Sequence, residues 1–596
     1  MRGLELHSQD ELGSAVDARL LRRLMSYTRP YAGAVVLALV LLVATSVLTL
    51  LPPELVKHAI DNHITAAIEA EPHVADRHLS AVYETAAWLI GILVVSAVVV
   101  FGQQVLMAYT GQGIMCDLRR DVFNHLQDLP LAYYDGNPTG RLVTRVTNDI
   151  SVMNEAFSSV VIYICRDLCV MLGILVRLGM MNSRLTPLML VSVPLIAVAA
   201  FLFRPVSRRY WRRVRDALAR LNSFLHESLS GVHVIKMFNR EARRCRDFTV
   251  INEANCRARI DVIRVNSLFN SMVMVVAAVP VSLLLWRGGL HMLAGDMTQG
   301  EFYVYLIYLG LFYRPITAVA EKFLLLQSAM AAGERVFQVM DETGAVADPS
   351  EPREFNPADP SIEFADVRFS YDGKTEVLRG VSFKVARGET VALVGATGSG
   401  KTTTTSLIPR FYDVTRGRLL VGGTDVRDLR VSDLRGHIAI VMQDTFIFSA
   451  TIRNNIRLFS EHITDDDVQR AVAMVGAADF IRDLPEGLDT RLSERGSTLS
   501  EGQRQLIALA RALAHDREIL ILDEATARID TKTEMLIQKA TETLLAGRTS
   551  IVVAHRLSTI KKADRILVFA DGMIVEQGTH DELMQNGGSY YRMCRV

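Results

Sequence analysis

The chain changes its hydrophobic rhythm a little past its middle. Up to about residue 330, apolar residues gather in long runs nearly free of charge; beyond about residue 360 they come in short β-branched runs separated by turns. A helix needs roughly 20 apolar residues to cross the hydrocarbon core of a bilayer. Ala32 to Pro53 reaches that length without a charge, and Ala86 to Tyr109 has Gln103 and Gln104 as its only strong polar groups. Phe157 to Met181 is a third candidate and contains Arg166, Asp167 and Arg177. Pro187 to Phe203 follows after the short Asn182-Ser183-Arg184 turn, Ser267 to Trp286 is the fifth, and Phe302 to Phe312, continuing past Pro315, is the sixth. The pattern therefore predicts six membrane helices.

The connections at residues 110–156 and 204–266 are too long and too regular for simple loops. Val122, Leu126 and Leu129, and Leu218, Leu221, Phe224 and Leu225, keep helical spacing, so the membrane helices are expected to run on past the bilayer. Each connection has a turn-prone centre, Tyr133 to Pro138 and Ser230 to Val232, and these tips could press on a soluble domain. Arg166 and Asp167 can be read as part of a substrate cavity, or as a structural pair or a snorkelling position, because an ionisable group at membrane depth faces water or a partner. Tyr305, Tyr308 and Phe312 recur at helical spacing, which fits ordinary helix packing or, alternatively, the lining of a path for bulky apolar solutes.

Charge adds orientation. Lysine plus arginine equals aspartate plus glutamate at 65 each, so net charge makes no case for nucleic acid. Segments 1–30, 110–156 and 204–266 are rich in arginine, whereas the stretch from Lys57 to Glu84 has Lys57 and Arg77 against five acids. With six spans, the positive-inside rule places both termini in the cytoplasm. Asp10, Glu11 and Asp17 precede the first apolar run, which is longer than the core of a cleavable signal. The six cysteines form no CxxC pair and no zinc-like set; Cys165 and Cys169 are expected to be small packing residues of a membrane helix.

Acids and prolines crowd residues 341–360 and mark a domain boundary, after which an α/β pattern begins at Ser361. There the apolar strand Val391 to Val394 runs into Gly395-Ala396-Thr397-Gly398-Ser399-Gly400-Lys401-Thr402 and a helix continues through Leu407. This is a phosphate-binding loop: glycines let backbone N–H groups close on phosphate oxygens at the start of a helix. Gly395, Thr397, Gly398, Ser399, Gly400, Lys401, Thr402 and Thr403 are the expected nucleotide contacts. Lys401 would reach the β and γ phosphates, and the Thr402 hydroxyl would hold Mg²⁺. A second strand, Ile519 to Leu522, ends in Asp523 and Glu524. Asp523 fits the acid that engages Mg²⁺, and Glu524 a base for the attacking water.

Between these motifs lies Leu499-Ser500-Glu501-Gly502-Gln503, opening a helix to about Ala514. With this third motif the chain resembles the ATP-binding cassette (ABC) transporters, and within them the exporter-type half-transporters, over nearly its whole length. The fold so implied is an α-helical six-span transmembrane domain followed by an α/β P-loop NTPase domain. Its segments would be 1–30 N-terminal, 31–335 transmembrane with two coupling hairpins, 336–360 linker and 361–596 cassette. The resemblance implies that Tyr371 stacks on adenine, that Gln443 senses Mg²⁺ and touches the transmembrane domain, and that His555 contacts the γ-phosphate. It implies that Glu494-Arg495-Gly496 touches coupling helices, placed near Tyr133–Asn137 and Gly231–Met237, and that Ala527 to Asp530 crosses a dimer seam. Ser500, Glu501, Gly502 and Gln503 would face ATP held by a partner chain.

One residue departs from the family. Its signature usually reads Leu-Ser-Gly-Gly-Gln, and Glu501 stands where the first glycine belongs. The bland reading is an acid tolerated at a helix N-terminus. The functional one is an impaired site opposite this signature, with Lys401, Asp523, Glu524 and His555 intact on the chain's own side. The resemblance then implies a heterodimer, favoured over a homodimer, with ATP and Mg²⁺ as cofactors. The expected activity is export of amphipathic or hydrophobic compounds (drug, lipid or peptide) across a bacterial plasma membrane. An importer built on the same fold and an ATP-gated regulator or channel are the alternatives.

Overall fold

The computed structural model describes residues 18–66, 72–156, 160–182, 185–344, 346, 348–523, 530–554 and 556–595. These form two compact units. One comprises the described residues before Gln127 together with Leu142–Asp341; the other joins Gln127–Arg141 to the chain after Asp341.

The first unit is helical. Its long helices are Ala32–Ala59, Pro72–Asp128, Val161–Met181, Ser192–Ser230, Glu241–Leu293 and Gln299–Asp341. Those of 57, 39 and 53 residues far exceed a bilayer's thickness, so the periodicity of the connections does continue the apolar runs as helix. Three described helices qualify to cross a membrane by length and composition alone: Arg29–Ile64, His78–Asp128 and Glu241–Leu293. In the second of these the most apolar window has none of its residues buried, and Trp88, Val94, Val98 and Phe101 stand outward. Such a face requires an apolar solvent.

The remaining helices carry their charges in pairs. Arg177 grips Glu54 with two hydrogen bonds of 2.7 Å, and the Tyr308 hydroxyl donates to the Leu50 carbonyl at 2.8 Å beside them. Lys322 meets Asp167 at 2.6 Å, and Arg166 meets the same carboxylate at 3.2 Å. Lower down, Arg335 holds Asp149 in a fork at 2.6 and 3.1 Å. Arg166 and Asp167 are therefore members of an interhelical ion cluster. Tyr305, Tyr308 and Phe312 are buried among Ile174, Leu178 and Leu284, so they pack helices and line no open path here. Cys165 is half-buried, and Cys169 lies on the exposed side of the same helix.

The second unit is built on two sheets. Strands β1 (Ile362–Phe369), β2 (Leu378–Val385), β4 (Arg416–Val421) and β5 (Thr424–Asp425) form an antiparallel sheet in the order β2-β1-β4-β5. Strands β3 (Thr390–Gly395), β6 (Ile438–Val441), β7 (Ile519–Asp523), β8 (Thr549–Val553), β9 (Arg565–Ala570) and β10 (Met573–Gly578) form the other, ordered β10-β9-β3-β8-β7-β6. All its pairings are parallel except β10 with β9. Side chains alternate between the faces of a strand. Accordingly Leu520, Leu522 and Val552 enter one core with the helix Glu501–His515, while Ile519, Ile521, Ile551 and Leu393 enter the other beneath the antiparallel sheet. Burial on both faces is why these strands read as continuous apolar runs. It also fixes the carboxyl ends of β3 and β7 along one edge, where parallel sheets bind ligands.

Candidate nucleotide site

The loop after β3 is shaped by three glycines. Gly395, Gly398 and Gly400 have φ of 155°, 82° and 102°, in the region that side chains avoid. A Cβ at Gly395 would stand 2.3 Å from the Phe569 carbonyl oxygen, and one at Gly400 2.7 Å from Leu378. The turn thus closes tightly enough to point successive N–H groups inward at the start of the helix Lys401–Leu407. Lys401 is buried at 6% exposure, and its Nζ donates to the carbonyls of Gly395 and Ala396 at 2.7 and 2.9 Å. Burial lowers its pKa, opposed by the nearby Asp523 carboxylate. Ser399 Oγ is buried without a hydrogen-bond partner. A buried orphan hydroxyl beside a buried ammonium suits an incoming phosphate.

Asp523 closes β7 and pairs with Val553 of β8, the strand adjoining β3. Gln443 is exposed, two residues beyond β6 at the sheet's edge. Thr402, Asp523 and Gln443 offer only oxygen ligands, the chemistry that suits Mg²⁺. Among the described residues no group of three His, Cys, Asp or Glu could hold a metal by itself. Mg²⁺ typically takes one or two protein ligands and completes its shell with phosphate and water, so this donor set fits it.

Tyr371 follows β1, is half exposed, and shares a 3.1 Å hydrogen bond with Thr403 of the phosphate-loop helix. Its ring packs at right angles to Phe369 and Tyr412 and leaves about half its surface exposed. Ser500 caps the helix Glu501–His515: its Oγ accepts from Gln503 N at 3.2 Å, and its own N–H donates to Gln503 Oε1 at 2.9 Å. The amide oxygen of Gln503 is therefore engaged in its own cap. Glu501 is the first helical residue and is exposed, whereas Gly502 is buried. Arg495 and Gly496 turn through positive φ, and Gly496 packs so closely on Ile447 that a Cβ would lie 3.2 Å away. Asp530 caps the helix Thr531–Leu545 by accepting from Thr533 N at 2.9 Å. Glu524, Ala527, Arg528, Ile529 and His555 lie outside the described residues.

Residues 35–316 match the family described as ABC transporter transmembrane region, and residues 378–527 match the one described as ABC transporter. The uncharacterized ABC transporter ATP-binding protein YknV of Bacillus subtilis (strain 168) is 38% identical over 96% of this chain and 94% of its own length. The chain belongs to the ABC transporters. It is an integral membrane protein whose ATPase is coupled to transmembrane transport. Two further relatives of this transporter carry more specific names. The probable multidrug resistance ABC transporter ATP-binding/permease protein YheH of the same bacterium is 38% identical over 85% of this chain and 75% of its own. The ATP-dependent lipid A-core flippase of Desulfotalea psychrophila (strain LSv54 / DSM 12343) is 37% identical over 84% and 88%.

The transporter also has site neighbours that sequence reading overlooked. Arg511, on the helix that Ser500 caps, donates to the carbonyls of Asn455 and Phe446, at 2.9 and 3.2 Å, and so ties that helix to the segment after Gln443. Burial lowers its pKa. An arginine inside the apolar run from Leu506 to Ala514 was the available signal. Tyr412 is the second such neighbour; it touches both Phe369 and Tyr371 with its ring.

Proposed function

We propose that this ABC transporter exports amphipathic or hydrophobic compounds, as one half of a heterodimer in which it supplies the catalytic glutamate. Both termini and the cassette, residues 361–596, would be cytoplasmic, beneath a membrane domain at 31–335 and a linker at 336–360, in a bacterial plasma membrane. The observation that carries the reading is the glycine-shaped loop closed over buried Lys401 beside Asp523, in one chain with lipid-facing helices. The names of the multidrug and lipid A-core relatives support an amphipathic cargo.

In this reading the N–H groups of 395–403 cradle the phosphates, Lys401 neutralises the β and γ oxygens, and Tyr371 stacks on adenine. Thr402, Asp523 and Gln443 would hold Mg²⁺, which when bound neutralises charge developing on the phosphates. Glu524 polarises the attacking water, with His555 at the γ-phosphate. Reconstituted protein tests this directly: ATP-dependent accumulation of an amphipathic dye in inside-out vesicles is expected, and ATP hydrolysis without any vectorial movement of drugs, lipids or peptides would sink it.

Glu501 supports the heterodimer. It stands exposed beside the Ser500 cap, where a helix N-terminus would otherwise meet phosphate, and it brings a negative charge there. Like charge at such an approach is costly. Glu501→Gly is therefore expected to raise hydrolysis at the opposed site on the order of tenfold, measured as Pi release from the co-purified pair. A wild-type chain that hydrolyses ATP vigorously as a stable homodimer would remove the heterodimer from the reading.

A further inference from the structure

The segment Leu131–Gly136 is a short helix at the turn of the first long connection, and it clusters with the cassette although some 200 residues separate them. The Tyr412 side chain of the cassette reaches it: its hydroxyl donates to the Asp135 carboxylate. Burial and that carboxylate raise the phenol's pKa, so the proton stays on Tyr412 as the donor. The backbone under Tyr412 is anchored two residues earlier by Arg410, which is 4% exposed, has φ of 51° and binds Asp413 at 2.7 Å. The Tyr412 ring stands edge-on to Tyr371, centroids 5.2 Å apart at 89°, with Phe369 closing the triad at 5.5 and 4.8 Å. Tyr371 in turn bonds Thr403 of the phosphate-loop helix.

We propose that Tyr412 is a positioning residue that transmits the seating of the nucleotide base, rather than of the phosphates alone, from Tyr371 to the coupling segment through Asp135. The inference rests on Tyr371 being the adenine platform. A base stacking on the half-exposed ring fixes that ring's tilt. Tyr412, packed on it and anchored by Arg410, follows with its edge, and its hydroxyl carries the displacement to Asp135. Packed rings and a charge-assisted hydrogen bond form a contiguous link with little slack. The phosphate-loop helix meets the same triad at the Thr403 hydroxyl.

Hydrogen–deuterium exchange of the full-length chain in lipid nanodiscs tests this with two probes, Mg-ATP and Mg-tripolyphosphate. In the wild type, ATP is expected to slow exchange at both 395–405 and 127–141, and tripolyphosphate at 395–405 only. Tyr412→Phe and Asp135→Ala each abolish the ATP response at 127–141, retain it at 395–405, and together do no more than either alone. A purely structural role for Tyr412 would alter exchange without nucleotide and would not distinguish the two probes. The proposal is overturned if ATP leaves 127–141 unchanged in the wild type, if tripolyphosphate protects 127–141 as fully as ATP, or if Tyr412→Phe keeps the full ATP response there. Loss of ATP protection at 395–405 in the wild type would instead defeat the nucleotide-site reading itself.

Discussion

Glu524→Gln is expected to leave Mg-ATP affinity near the wild-type value and to lower turnover by roughly 10²-fold or more, the scale of a lost general base. The expectation starts from the sheet. Strand β7 is buried from Ile519 to Leu522 and locked between β6 and β8, so Asp523 has little freedom along the edge that carries the phosphate loop. Asp523 influences Lys401 electrostatically, which puts its carboxylate near the phosphate end of the site. In the proposed reading the next acid along the chain, Glu524, accepts a proton from the attacking water. Glutamine keeps the shape and loses only the basicity, so binding and hydrolysis should separate. Fluorescent-nucleotide titration alongside single-turnover Pi release reads both quantities. Turnover within a few-fold of wild type would take Glu524 out of the chemistry and leave the water to be activated elsewhere.

What a sequence reveals of its fold depends on how local each cause is. The phosphate loop was legible because its requirement is a backbone one. Positive φ at Gly395, Gly398 and Gly400 admits little but glycine, so the geometry is written in consecutive letters. Three of the spans were legible because lipid demands apolar length, and the strands because burial on both faces demands apolar runs. Pairings across the chain were not. Arg177 in an apolar run announces a partner but not that the partner is Glu54, 123 residues earlier. Asp149 and Arg335 are 186 residues apart, and Tyr412 and Asp135 are 277 apart. No periodicity encodes such a meeting; it depends on how long helices fold back on one another.

The ambiguous side chains were those with a single local description and two tertiary ones. The spacing of Tyr305, Tyr308 and Phe312 gives one helix face without saying what covers it. Packing against Ile174, Leu178 and Leu284, with the Tyr305 hydroxyl on the Leu178 and Asn182 carbonyls at 3.0 Å, decides for the helix interior. Asp167 looked costly because its other cation, Lys322, lies on a different helix. Among the described residues two cations, Arg166 and Lys322, meet this one carboxylate, which offsets the cost of its burial.

Lys401→Ala carries the second large expectation: Mg-ATP affinity falls by roughly 10²-fold or more while the cassette stays folded. In the protein the ammonium is held against the Gly395 and Ala396 carbonyls, inside the ring that those glycines close. It is buried and already positioned, so little conformational entropy is lost when phosphate oxygens replace the carbonyls as its partners. Truncating one member of a buried charge pair costs about 2–5 kcal/mol, and about 1.4 kcal/mol is tenfold in Kd. Against folding, the same change uncovers two loop carbonyls, a penalty of about 1–3 kcal/mol that water entering the space left by the side chain can relieve. Binding should therefore suffer far more than stability. Lys401→Arg supplies the control: it keeps the charge but puts a bulkier, planar head where the lysine is already buried against two loop carbonyls, so it should rescue little affinity. Nucleotide titration of each variant, beside a thermal melt without nucleotide, separates the terms. Unchanged affinity in Lys401→Ala would mean that the triphosphate is held elsewhere, and the assignment of the 395–403 loop would fall with it.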